Sequence, residues 1–174
     1  MSTEPRSEAA LRDFDGARQS FQGTLEAAPE EALAYLKPGD DYALGGLAFH
    51  VNVVLEHYLQ VLQGVMPSGA GEVRLPDRAA AFDAAHSRAR VGLQPGELGS
   101  VLERMGTLHS QVRTLAASVA GSDWERQATV RVGAEPPYQA SPADVLGWLT
   151  DHYGEHVPQA GELLREWEAS SRRP

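Results

Sequence analysis

Four stretches in which apolar residues return every three or four positions constrain this chain to a helical fold. Leu11, Phe14, Ala17, Phe21 and Leu25 line one side of a predicted helix running from Ser7 toward Leu25. Leu44, Leu47, Val51, Val54, Leu55, Tyr58 and Leu62 form the stripe of a second over Asp41 to Gly64, with Asp40 or Asp41 as its cap. A third, from Pro95 to Val119, carries Leu98, Val101, Leu102, Met105, Leu108, Val112 and Leu115. The fourth opens at Ser141-Pro142, a favoured N-cap followed by proline at the first helical position, and runs to about Trp167. Its apolar face is Val145, Leu146, Leu149, Leu163, Leu164 and Trp167.

The joins are rich in helix breakers. Pro29 starts a turn that ends near Leu36. The stretch Val65 to Gln94 contains Pro67, Gly69, Gly71 and Pro76 and reads as a long crossover, with a short helix capped by Asp77 inside it. Gly121 to Ala140 has room for an extended or hairpin excursion around Ala128–Val132. The expected fold is all-α, a four-helix bundle with a long crossover between helices 2 and 3. It is expected to form one domain over residues 1–174, with a core at about 7–168 and flexible termini. Gly45-Gly46 either permits close helix approach or, the preferred reading, is a pair of weak helix formers tolerated in a glycine-rich chain.

Composition narrows the chemistry. There is no cysteine, so disulfides, a thiolate nucleophile and thiolate-ligated metal are excluded, and any thiol must come from a cofactor or substrate. The formal net charge is −9 and Lys37 is the only lysine, which argues against nucleic-acid binding. No window approaches the roughly 20 apolar residues of a membrane span, and the N-terminus has neither a basic start nor an apolar run. A cytoplasmic protein with no membrane partner is expected.

Chemistry concentrates in Asp151-His152-Tyr153-Gly154-Glu155-His156, where two histidines stand one helical turn apart. Positions i and i+4 lie about 40° apart around a helix and about 6 Å apart along it, so both imidazoles can lean toward one point. A metal needs a third ligand, and His50 on the stripe of the second helix is the better candidate. His57 competes with it, being on nearly the same face, but it lies about 10 Å further along the axis. Both cannot hold one ion, and a pocket or core role suits His57. His109 is expected at the bundle edge and His86 in solvent. Glu155 and Glu56 fall outside the arcs of their neighbouring histidines, so neither is named as general base. Tyr58, Trp148 and Tyr138 are candidate walls of a binding pocket, Trp148 lying one turn before His152, and filling core volume is the competing role for Trp148 and Tyr58.

The order His50, a long interval, then His152-Tyr153-Gly154-Glu155-His156 resembles the DinB-like (DinB/YfiT) four-helix-bundle metalloproteins. The lead-ins Pro38-Gly39-Asp40-Asp41-Tyr42 and Ser141-Pro142-Ala143-Asp144-Val145-Leu146 strengthen the likeness, which extends roughly from Leu11 to Trp167. The resemblance implies an up-down-down-up bundle and a divalent metal held by His50, His152 and His156, usually nickel, zinc or iron. It further implies a small-molecule substrate or low-molecular-weight thiol as partner, and a homodimer. Two departures stand out: Asp41-Tyr42 replaces a frequent tryptophan-serine pair, and Pro158 stands inside the last helix. A proline there clashes with the carbonyl of Gly154, so a bend just beyond the histidines is expected. The expected function is a metal-dependent enzyme, a thiol-cofactor transferase or a hydrolase. The alternatives are a noncatalytic, stress-related metal- or small-ligand-binding bundle and a metal-free protein-interaction bundle.

Overall fold

The computed structural model describes residues 6–66 and 71–172. The outermost terminal residues, expected to be flexible, and the breakers Pro67 and Gly69 lie outside the described residues. Five α-helices and a small sheet follow in the order α1 (Arg6–Glu26), α2 (Gly46–Val65), β1 (Glu72–Leu75), α3 (Ala79–Val91), α4 (Leu98–Ala117), β2 (Ala128–Val132), β3 (Tyr138–Ala140) and α5 (Pro142–Ser171).

The apolar stripes do what their period requires. α1 packs on α5 and α4, while α2 packs on α4 and α5 and carries α3 on another side. Phe14, Phe21, Leu47, Leu62, Met105, Leu146 and Tyr153 are fully buried where these helices meet. α5 begins with a reciprocal cap: the Asp144 amide donates to Ser141 Oγ at 3.1 Å, and the Ser141 amide donates to Asp144 Oδ2 at 2.9 Å. The helix then runs unbroken through Pro158 to Ser171. Pro158 is exposed and Gly154, one turn earlier, has open space beside it, so the helix absorbs the proline without ending.

The all-α expectation broadly fits a mostly helical chain, to which a small sheet is added: β1 pairs in parallel with β2 and β2 pairs antiparallel with β3. Val73, Val130, Val132 and Ala140 turn inward from this sheet, and Val73 comes so close to α2 that a Cβ on Gly64 would lie 2.2 Å from its Cγ1. Two local expectations are corrected. The second helix starts at Gly46, not Asp41, with Gly45 as its N-cap and no side-chain cap. The preceding segment is bonded elsewhere, Ala43 N–H to the Ala89 carbonyl, Leu44 N–H to Tyr35 and Gly45 N–H to Leu33. Glycine is required at this start: a Cβ on Gly46 would stand 1.8 Å from the Ala89 oxygen. Close approach, not mere tolerance of weak helix formers, is thus the role of the pair. Lastly, the short helix after Asp77 extends over 13 residues, with Arg78 as N-cap and Asp77 Oδ1 accepting from the Ala79 amide at 2.8 Å. Among the described residues no helix is long and apolar enough to cross a membrane.

Candidate metal centre

α2 and α5 bring His50, His152 and His156 together, each offering one ring nitrogen within 4.8 Å of the others. The ring centroids lie 4.8 Å (His50–His152), 5.1 Å (His50–His156) and 4.5 Å (His152–His156) apart. His156 is nearly perpendicular to both of the others, at 89° and 86°, so the rings meet edge to face rather than stacking as an apolar pile. His57 is not in the group. Its ring packs on Tyr58 and Phe82, in agreement with a pocket or core role.

The polar atoms test whether this group suits a cation. The Nε2 atoms of His152 and His156 are both buried and have no hydrogen-bond partner in the protein. Burying an unpaired imidazole nitrogen costs on the order of 1–3 kcal/mol, and the cluster contains two within one turn. The Nδ1 of His156 is 2.7 Å from Gln159 Oε1, which can only accept, so Nδ1 carries the proton and the Nε2 lone pair is left free. Burial drives His50 down to about 4 and His152 down to about 3, and charge on the neighbouring imidazoles pushes the same way. Burial lowers His156 as well, opposed by the Gln159 bond. All three rings are therefore neutral donors near pH 7. The residues fit a divalent transition metal, for which imidazole is a favoured ligand.

The rings that touch this group are Tyr42 and Phe21. Tyr42 stacks on His50 at 4.7 Å, meets His156 edge-on at 6.4 Å and meets His86 edge-on at 5.5 Å. Phe21 of α1 lies 6.3 Å from His156. Tyr42 was legible only as a departure from a family lead-in, because its position depends on the non-helical backbone of residues 42–45. His86, expected in solvent, is half-buried, since α3 packs along α2 and delivers it to Tyr42. His109, expected at the bundle edge, is only 3% exposed and bonds to Asp15 and Tyr153. Tyr58 packs on Trp148 at 5.6 Å and Trp148 on Tyr138 at 6.1 Å, forming an adjacent aromatic cluster one turn along α5. Glu155 is exposed, and Glu56 is engaged by Arg78 and Arg104 at 3.1 and 2.5 Å. A groove of about 960 Å³ between α1, α2 and α4 shares no residue with the histidine group.

The chain is mostly helical and gathers three imidazoles, one from an early helix and two from the last, into a group that could hold a metal ion. Residues 13–160 match the family model of the DinB superfamily, and the chain belongs to that superfamily. The matched span includes His50, His152 and His156. Comparison with curated proteins gives no match.

Proposed function

We propose that this protein is a metal-dependent enzyme with an open three-histidine site, of the thiol-cofactor transferase or hydrolase type. The observation that carries the reading is the pair of buried, unpartnered Nε2 atoms on His152 and His156, on two rings that group with His50 so that one nitrogen of each lies within 4.8 Å of the others. His50, His152 and His156 would hold a divalent nickel, zinc or iron ion, and three ligands leave room for a substrate atom. When bound, the ion supplies Lewis acidity to a substrate oxygen or thiol sulfur. Three neutral ligands leave the charge of the ion uncompensated, so the site favours an anionic donor such as a thiolate. With no cysteine in the chain, that sulfur comes from a low-molecular-weight thiol. Gln159 holds the His156 tautomer, and the Tyr42 ring closes the His50 side. The aromatic cluster of Tyr58, Trp148 and Tyr138 is the proposed resting place for the rest of a small organic substrate.

Elemental analysis of tag-free protein beside His50→Ala and His152→Ala tests the site. The expected result is about one equivalent of a transition metal, lost in both variants. Absence of metal after reconstitution with nickel, zinc or iron would overturn the metalloprotein reading. Turnover of a low-molecular-weight thiol with an electrophile, or of an ester and amide panel, then distinguishes an enzyme from a noncatalytic metal-binding protein.

A further inference from the structure

A second cluster of titratable side chains lies beside the histidine group, reached from α5 through Tyr153. Arg113 Nε donates to Asp15 Oδ2 at 2.9 Å, and Asp15 Oδ1 lies 2.9 Å from His109 Nε2. His109 Nδ1 lies 3.3 Å from the hydroxyl of Tyr153. Ionised Asp15 can only accept, so Nε2 of His109 carries the proton and Nδ1 accepts from the Tyr153 O–H. One chain of hydrogen bonds thus runs from α4 to α1, back to α4 and on to α5. Its inner members are enclosed, with His109 3% and Tyr153 1% exposed. Phe14 stacks on His109 at 4.0 Å and 14°, and Phe14 and Phe21 tilt against Tyr153 at 5.8 and 5.9 Å.

Tyr153 follows His152 directly and precedes His156 by three positions. On a helix it points about 100° from the first and about 60° from the second, so whatever holds its tip also holds the rotation of α5 about its axis. A turn of roughly 10° would carry a ring nitrogen at the helix rim about 1 Å sideways. Metal–ligand distances tolerate only about 0.2 Å.

We propose that Tyr153 is a positioning residue: its hydroxyl, anchored through His109 to Asp15, sets the rotation of α5 and aims His152 and His156 at the point they share with His50. A tyrosine serving only as core filler would need the ring alone, and Phe14 and Phe21 already pack that ring. The hydroxyl instead selects one angular setting among those the apolar contacts permit, because a directional bond falls off with angle where dispersion does not.

Tyr153→Phe keeps the ring and removes only the hydroxyl. The first readout uses metal-free protein, so it does not depend on the proposed function: imidazole nitrogen and proton signals by NMR. The ring signals of His152 and His156 are expected to shift in Tyr153→Phe, although the hydroxyl touches neither ring. The second readout rests on the three-histidine reading: affinity for nickel or zinc is expected to fall about tenfold or more. Asp15→Ala, which leaves the core rings in place, is expected to act in the same direction with smaller effect, and it carries the test if Tyr153→Phe does not fold. Unchanged His152 and His156 signals in the folded variant would overturn the proposal, whatever the affinity. If the parent protein binds no metal, the functional reading fails and the ring signals alone decide the positioning role.

Discussion

At the scale of single residues, the candidate centre is governed by which nitrogen of each imidazole is free. Gln159 accepts from His156 Nδ1 and so presents Nε2 to the cluster. Gln159→Ala is expected to lower metal affinity by about 10- to 100-fold with little change in thermal stability, measured by competition with a chromophoric chelator. An unchanged affinity would mean that the backbone alone orients the ring. The i,i+4 pair was legible from residue spacing, because helical period and side-chain direction are local properties. The preference for His50 over His57 rested on a weaker argument, since both lie on nearly the same face of α2. What separates them is the axial level at which α5 crosses α2. Tyr42 and His86 had no local signal, as Tyr42 reaches the His50 ring, and His86 reaches Tyr42, only through long-range packing.

At the scale of elements, helix ends and interruptions carry most of the testable energetics. Ser141→Ala removes an N-cap acceptor and is expected to cost about 1 kcal/mol, read from the urea unfolding midpoint. Pro158 lacks an amide donor inside a helix that nevertheless continues past it for more than three turns. Pro158→Ala is therefore expected to stabilise the protein by about 1–3 kcal/mol. Loss of stability would instead assign the proline a packing role. Gly46→Ala presents the opposite case: the added Cβ would collide with the backbone oxygen of Ala89, which cannot rotate away. A marked fall in melting temperature is expected, with loss of the α2–α3 contact. The alternating pattern of Ala128–Val132 announced an extended segment. β1 gave no such warning, since Glu72–Leu75 is four residues long and its breaker-rich surroundings read as a loop.

At the scale of the whole molecule, buried imidazoles couple stability to pH. Burial lowers His50, His57, His109, His152 and His156 below the ordinary value of 6.5. The unfolded chain takes up protons near that value while the folded chain resists, so their contribution is full above pH 6.5 and declines as pH falls toward the folded values, about 4 for His50. The metal-free protein is expected to show a urea midpoint that drops progressively from pH 7 to pH 5. A flat or rising midpoint would mean that these groups are not neutral in the folded state. Bound metal acts the other way by mass action, raising the melting temperature until a chelator removes it.

By itself the sequence determined the helical stripes, the N-cap at Ser141, the histidine pair on one face of the last helix and the absence of any internal thiol. Each of these follows from interactions within a few residues or from composition. Tertiary structure alone decided that a strand from the crossover joins β2, that α3 lies along α2, and that His109 is buried against Asp15 and Tyr153 rather than left at an edge. It also decided that Tyr42 covers the His50 ring. These depend on packing between segments far apart in the chain, where a rotation of a few degrees exchanges one neighbour for another and no short-range period records which neighbour prevails.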